Sequence, residues 1–237
     1  MNRIIVFALM FFCMTMQIEA QTLSEEEVTA KMYQAFELNK AAKKAEALEL
    51  FLIVGENTKQ QRNEGERQVY VCSQTMACQC YELLGRYKEG YLLGKSLLQG
   101  KLNDTERKDV GHLYAMNGYM YACEFIQRDE KGRADYKRGR ELISEILPYS
   151  DGQVKEYAET KIPLSWYFEG AQYAMTQSYD EALSSYEEAL NGFRDLGRVS
   201  EEVDVLSGIA SVKAHLCKFD EAKRVYYQAF VLAHQNG

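Results

Sequence analysis

Proline is nearly absent from this chain, with only Pro148 and Pro163 among 237 residues. A sequence with so few prolines leaves long stretches in which helices can continue without interruption. Alternating β-branched runs, which would indicate strands, are also missing, and helix-forming residues dominate. Pro148 is expected to end one helix, and Pro163 either opens the next helix or kinks a longer one. The composition therefore predicts an all-α fold.

An excess of positive charge is also missing. Lysine and arginine total 28 against 35 acidic residues, so the formal net charge is −7. A protein that binds nucleic acid usually carries a basic stripe that neutralises phosphates. The charge balance therefore predicts no nucleic-acid partner.

Long apolar runs are confined to the first residues of the chain. Arg3 precedes the apolar run Ile4–Met16, which is too short to span a membrane but suits a secretory signal peptide. Residues 1–20 are therefore predicted to be a signal peptide cleaved after Ala20, which leaves 21–237 as one domain of an exported, periplasmic bacterial protein. The alternative is a retained membrane anchor.

Motifs for catalysis and metal binding are missing too. The sequence has no GxSxG, no glycine-rich phosphate loop and no HExxH. Adjacent carboxylates such as Glu187 and Glu188 are expected on solvated helix faces. The histidines His112, His215 and His234 are not at ligand spacing with one another or with cysteines. We therefore expect no catalytic residues, no metal, no cofactor and no enzymatic activity.

Cysteine patterns give little support for disulfides. Five cysteines remain after signal cleavage, an odd number, and no CxxC pair occurs. They are expected to be small packing residues, with a bond between Cys80 and Cys123 as the alternative.

The segment 166–189 shows the organisation of the chain most clearly. Trp166, Gly170 and Tyr173 fall on one helical face, and Ala182, Tyr186 and Ala189 fall on another after the break SYDEA. This spacing predicts two amphipathic helices joined by a tight turn, with small residues where the helices cross. A hairpin of this kind cannot bury its apolar face alone, so it is expected to recur.

The hairpin pattern does recur along the chain. A small residue follows each predicted turn, at Ala47, Gly90, Gly139, Ala182 and Ala222. Another small residue stands twelve positions earlier in four units, at Ala35, Cys78, Gly170 and Ala210. An aromatic residue stands three positions before the small residue in three turns, at Tyr87, Tyr179 and Phe219.

With these residues in place, the sequence resembles the tetratricopeptide repeat (TPR) family in its long-repeat form. The match is best over Trp166 to Ala189, and Gly118 in the third unit is separated from Gly139 by extra residues. The resemblance implies a right-handed α-solenoid of about five hairpins. Their approximate bounds are 24–61, 65–103, 104–150, 153–196 and 198–237. The predicted helices are 24–39, 43–59, 65–84, 87–100, 104–126, 134–147, 153–176, 179–196, 199–217 and 219–235.

The resemblance also implies an inner groove lined by the first helix of each hairpin. Its groove positions are Cys72, Thr75, Gln79, Glu82, His112, Ala115, Tyr119, Ala122, Leu164, Tyr167, Ala171 and Ala174. The candidate binding residues among them are Thr75, Gln79, Glu82, His112, Tyr119 and Tyr167. They lack the basic cluster with which family members clamp chaperone carboxylates, so that role is not expected. An equally good interpretation is an exposed inner surface without a ligand.

Tyrosines at repeat positions are expected to pack between helices instead of forming a site. This group is Tyr81, Tyr121, Tyr173, Tyr186 and Tyr226.

Two functions fit the sequence. The first is a non-enzymatic exported module that binds a protein or peptide segment in its groove. The second is the extracytoplasmic sensor portion of a bacterial signal-transduction or transcriptional regulator, whose membrane and effector parts lie outside this chain.

Overall fold

A computed structural model describes residues 23–127 and 134–236, and those residues are almost entirely helical. The predicted signal peptide 1–20 lies outside the described residues. Ten α-helices and one short 3₁₀ helix, Leu147–Tyr149, are present in the described ranges, which contain no strand. In chain order the helices are α1 Glu25–Lys40, α2 Lys44–Thr58, α3 Glu64–Leu83, α4 Tyr87–Leu98, α5 Asp104–Ile126, α6 Tyr136–Ile146, α7 Gly152–Met175, α8 Tyr179–Asp195, α9 Val199–His215 and α10 Phe219–Asn236. The all-α prediction is confirmed, and every predicted helix boundary lies within two residues of the observed one.

Several helices begin where a polar side chain satisfies the first free backbone N–H groups. Ser24 Oγ accepts a hydrogen bond from the Glu27 backbone N–H, and Glu27 Oε2 accepts one from the Ser24 backbone N–H. Asn103 and Glu106 make the same reciprocal pair at the start of α5. Such capping boxes fix where these helices begin. Pro163, by contrast, lies inside α7 without ending it.

Four of the turns within hairpins share one backbone feature. A residue with positive φ stands five positions before the small residue, at Ala42, Gly85, Gln177 and Cys217. A left-handed residue ends one helix and redirects the chain, and glycine adopts this conformation at least cost. Tyr136 stands three residues before Gly139, so a fourth turn also has an aromatic residue three positions before its small residue.

Ala42→Gly should raise the free energy of unfolding by roughly 0.5–1 kcal/mol, because alanine is strained at a φ of 61°. Ala41→Gly is the matched control, since Ala41 has a φ of −75° and gains nothing from glycine. Urea unfolding of the two variants measures the difference. Equal changes in the free energy of unfolding for Ala42→Gly and Ala41→Gly would show that Ala42 is not strained in this turn.

The described chain divides into two compact units, the first ending at Cys80 and the second beginning at Tyr81. In the first unit α1 and α2 form a hairpin, with Ala35 and Ala47 fully buried. The Phe36 and Phe51 rings meet edge to face at 5.4 Å. Gln74 of α3 packs against Gly55 and donates a hydrogen bond to the Phe51 carbonyl. The small residues thus allow close approach between these helices.

The second unit packs each helix against its neighbour in sequence, from α4 to α10. One buried cluster lies around α5 and α6, and another around α8 and α9. The repeat positions Gly90, Gly118, Gly139, Gly170, Ala182, Tyr186, Ala189, Ala210 and Ala222 are buried, while Trp166 and Tyr173 are partly buried. The hairpins are therefore joined into layers through small residues and interleaved aromatic rings.

A polar network ties α4, α5 and α6 together around Glu145. Its carboxylate accepts hydrogen bonds from the Tyr114 hydroxyl at 2.7 Å and the Tyr91 hydroxyl at 2.9 Å. Lys95 Nζ lies 2.6 Å from the same carboxylate. Burial raises the pKa of Glu145, but the hydrogen bonds from Lys95, Tyr114 and Tyr91 lower it by more, so the net shift is downward.

Glu145→Gln should therefore make the protein less sensitive to acid. A carboxyl whose pKa is lower in the folded state stabilises fully above its unfolded value, and this stabilisation is lost as pH falls through the folded pKa. Urea unfolding at pH 7 and at about pH 4 should show a larger loss of stability for the wild type than for the variant. Glu141→Gln, on an exposed position of α6, is the control. An identical acid response in wild type and Glu145→Gln would rule out this coupling.

Candidate functional site

The candidate site lies on the first helices of two successive hairpins, α5 and α7. Tyr119 of α5 and Tyr157 of α7 stack at 6.2 Å between ring centroids with an interplanar angle of 27°. Tyr119 is half-buried, whereas 51% of Tyr157 is exposed. The pair therefore presents an aromatic surface in which the ring of Tyr119 is partly covered by the protein and the ring of Tyr157 is exposed to solvent.

A polar group lies on the same two helices. His112 Nδ1 of α5 is 3.0 Å from Asp151 Oδ1, which stands immediately before α7. A carboxylate at this position is favoured by the partial positive charge of the helix N-terminus. Glu82, near the end of α3, is close enough to interact with His112: burial raises the pKa of Glu82, and the charge of His112 opposes this shift. We call the five residues Glu82, His112, Asp151, Tyr119 and Tyr157 the α5–α7 strip.

The hydroxyl of Tyr119 is anchored within the helix layer. Burial raises its pKa, and a hydrogen bond with the Cys123 thiol acts in the same direction. Burial likewise raises the pKa of Cys123, while Lys161 opposes this shift. Both groups therefore stay protonated at neutral pH, and the strip holds Tyr119 in place as a neutral aromatic.

Four of the cysteine thiols lie in surroundings that disfavour the thiolate. Burial raises the pKa of Cys72, Cys78, Cys80 and Cys123, to about 12 for Cys78, so none of these four thiols is activated as a nucleophile. In the ranges 23–127 and 134–236, no group of three or more His, Cys, Asp or Glu side chains is placed to hold a metal ion. Over the same ranges, none of the helices combines the length and apolar character that crossing a membrane requires.

The candidate residues named from the sequence lie in different surroundings. Glu82, His112 and Tyr119 belong to the strip. Thr75 and Gln79 lie in the first unit, where Thr75 is half-buried and donates a hydrogen bond to the Val71 carbonyl at 2.7 Å. Gln79 is exposed. Tyr167 is half-buried, with its ring 5.8 Å from the ring of Tyr186.

Several sequence-based expectations need correction. Ala115 and Ala122 are not groove residues, because both are fully buried in the cluster that α5 forms with α4, α6 and α7. Tyr226 is not buried between helices, since 47% of it is exposed.

The cysteine expectation is wrong for Cys72 and Cys217, which are exposed. Cys217 lies in the turn after α9, where its backbone has a positive φ of 59°, and not on a packed helix face. Cys80 and Cys123 are buried free thiols.

Sequence reasoning missed Tyr157, Asp151 and the partly exposed ring of Phe168. Asp151 is the N-cap of α7 and Tyr157 lies in its second turn, and both precede the repeat pattern that begins at Trp166. The length of α7, 24 residues, was the available signal, because a helix that begins so early must carry additional surface residues.

The positions of the small residues along the helices identify the type of hairpin. A Cβ on Gly170 would lie 2.8 Å from the Tyr186 ring, and Ala182 and Ala210 have no exposed surface. The hairpins are TPR-like.

No family model and no curated protein matches this sequence. Among solved structures, TTC0263, a thermophilic TPR protein from Thermus thermophilus, is 15% identical over 88% of this chain and 93% of its own, with a TM-score of 0.36. The TPR-like repeats of a Podosopora anserina putative kinesin light chain are 14% identical over 88% and 95%, with a TM-score of 0.36. BtubC (BKLC) from P. vanneervenii is 15% identical over 90% and 81%, with a TM-score of 0.34. These likenesses are distant in both sequence and superposition.

Proposed function

We propose that this protein is an exported, non-enzymatic interaction module that binds a peptide segment of a partner protein on the α5–α7 strip. The observation that carries this proposal is the stacked pair Tyr119 and Tyr157 beside the carboxylates of Asp151 and Glu82. An exposed tyrosine provides apolar area with little rotamer entropy to lose on binding. The strip can therefore recognise a ligand without large rearrangement.

The charges of the strip indicate the chemistry of the ligand. Two carboxylates lie at one end, where His112 pairs with Asp151, and an aromatic pair lies at the other; the chain as a whole is acidic. A segment with an apolar or aromatic side chain near a lysine or arginine would complement both ends. We expect the apolar side chain to stack on Tyr157 and the basic group to approach Asp151 and Glu82.

Tyr157→Ala should weaken peptide binding by about tenfold or more, as expected when an interface loses a central aromatic anchor. Peptides selected from a random display library on the mature chain, residues 21–237, provide the ligand, and fluorescence anisotropy measures the dissociation constant. Leu92→Ala removes an exposed apolar side chain from α4, away from the strip, and should leave binding unchanged.

Circular dichroism should show that both variants keep wild-type helicity, since both side chains are exposed. Equal affinity of wild type and Tyr157→Ala for every selected peptide would refute binding at the strip. Export is tested separately, by the mass of the protein recovered from the periplasm, which should correspond to a chain beginning at Gln21.

The sensor portion of a signalling regulator remains the alternative prediction. Binding at the strip would serve either role, because both require recognition of a segment outside the cytoplasm. In-frame sequence for a membrane helix following codon 237 would favour the sensor.

A further inference from the structure

Lys161 adjoins the α5–α7 strip on the side away from the carboxylates. It lies on α7 four positions after Tyr157, and its side chain is half-buried. Four residues span about 6 Å along a helix axis and bring two side chains to the same side of the helix. A cationic group therefore stands one helical turn beyond the exposed tyrosine ring.

Residues of α5 and α7 face each other in successive pairs. The first pair is His112 and Asp151, with Nδ1 and Oδ1 3.0 Å apart, and the second is the stacked tyrosine pair of the strip. Each step forward on α5 is matched by a step forward on α7, so the two helices run in the same direction. One turn further, this register places Cys123 opposite Lys161. Burial raises the pKa of the Cys123 thiol and the charge of Lys161 lowers it, in agreement with that placement.

The ammonium group of Lys161 has no carboxylate partner in the ranges 23–127 and 134–236. Glu159, two positions earlier on α7, pairs instead with Lys155 at 3.8 Å. The Cys123 thiol is protonated at neutral pH and supplies no opposite charge. A charged group that has lost part of its hydration is stabilised by an opposite charge, so Lys161 is suited to take a carboxylate from a ligand.

The charges on this surface follow a fixed order along α7. The carboxylates of Asp151 and Glu82 come first, the stacked tyrosines follow, and the ammonium of Lys161 comes last. A complementary peptide therefore presents a basic, an apolar and an acidic side chain in that order. In an extended peptide, residues two positions apart point to the same side and are separated by about 6.6 Å, which matches the spacing of Tyr157 and Lys161.

We propose that Lys161 binds an acidic side chain of the peptide and so fixes where the peptide lies on the strip. The acidic residue stands two positions from the apolar residue that stacks on Tyr157, and the basic residue stands on the other side of that apolar residue. This inference rests on the proposed function, because it concerns the same ligand. It adds a carboxylate to the chemistry that the ligand must carry.

The test is a selection of peptides from a random display library on three forms of the mature chain: wild type, Lys161→Glu and Lys155→Glu. The wild type should enrich aspartate or glutamate two positions from the apolar residue. Lys161→Glu should enrich lysine or arginine there, since like charges placed together are strongly disfavoured at an interface. A structural role for Lys161 would lower binding without changing the enriched sequence.

Lys155→Glu is the matched control, because it makes the same charge change on the same helix. Lys155 stands two positions before Tyr157, on the nearly opposite side of α7, and its side chain is 55% exposed. This variant should enrich the same sequences as the wild type.

Fluorescence anisotropy then compares one peptide enriched on the wild type with the same peptide whose acidic residue is changed to lysine. The original peptide should bind Lys161→Glu about tenfold or more weakly than it binds the wild type, and the lysine peptide should show the reverse preference. Circular dichroism should show equal helicity for the two proteins, since glutamate is also a good helix former.

Two results would overturn the proposal. The first is the same enriched sequence on the wild type and on Lys161→Glu, and the second is equal affinity of these two proteins for each peptide. If Tyr157→Ala still weakens binding in either case, the proposed function stands and only the role of Lys161 is refuted. If Tyr157→Ala changes binding of no selected peptide, the proposed function is refuted, and this inference with it.

Discussion

Gly118→Ala should destabilise the protein by about 1–3 kcal/mol, because the added methyl group overpacks a helix crossing. The Cβ at Gly118 would lie 2.5 Å from Ile146 Cγ2 and 3.1 Å from Tyr91 Cδ2. Ile146 is fully buried and its branched side chain has little freedom in a helix, so it cannot move aside cheaply. Urea unfolding measures the loss.

Gly111→Ala is the matched control, since it makes the same change on the same helix. A Cβ at Gly111 would meet Tyr149 Cδ1 at 3.4 Å, an ordinary contact with a partly exposed ring. This variant should gain up to about 1 kcal/mol from the higher helix propensity of alanine. A loss of stability for Gly118→Ala together with a gain for Gly111→Ala would support close packing of the helices through small residues. A gain in stability at both positions would show that α5 and its neighbours are loosely packed.

Arg140→Ala should cost about 3 kcal/mol or more, because it leaves a mostly buried carboxylate without its partner. Arg140 Nη2 lies 2.9 Å from Glu169 Oε2, with side-chain exposures of 11% and 16%. The guanidinium also lies over the Trp166 ring, 3.3 Å from its centroid. Thermal and urea unfolding should both report the loss, and Arg140→Lys should recover only part of it, since lysine lacks the planar group that stacks on the ring.

Arg138→Ala on the same helix is the control for this prediction. Arg138 pairs with Glu141 at 3.2 Å, but the two side chains are 46% and 50% exposed. Solvent screens such a pair, and its removal should change stability by less than about 1 kcal/mol. Similar losses for Arg138→Ala and Arg140→Ala would mean that the stack and ion pair with α7 contribute little.

Much of the fold could be predicted from local sequence signals. Helix boundaries were accurate because turns such as those near Gly85 and Gly197 interrupt long runs of helix-forming residues. Repeat spacing alone predicted that Ala182 and Ala222 are buried where two helices cross. Pro163 was ambiguous for a physical reason, since α7 begins eleven residues earlier at Gly152 and its packing keeps the helix continuous through the proline.

The site was less predictable, because exposure depends on which helix covers each residue. Ala115 and His112 are three positions apart on α5, yet one is buried against the core and the other reaches solvent. Tyr186 and Tyr226 occupy one repeat position, yet Tyr186 is 4% exposed and Tyr226 is 47% exposed. The pairing of Arg140 with Trp166 joins two helices, and no sequence spacing indicates it.

The most direct test of the account is a photo-cross-linking map of the bound peptide. A photoreactive phenylalanine analogue at position 157 should cross-link a display-selected peptide efficiently, because Tyr157 supplies the exposed ring of the α5–α7 strip. The same analogue at position 92 should give little product. Efficient cross-linking at position 92 together with none at position 157 would contradict the claim that this helix layer binds its ligand through the strip.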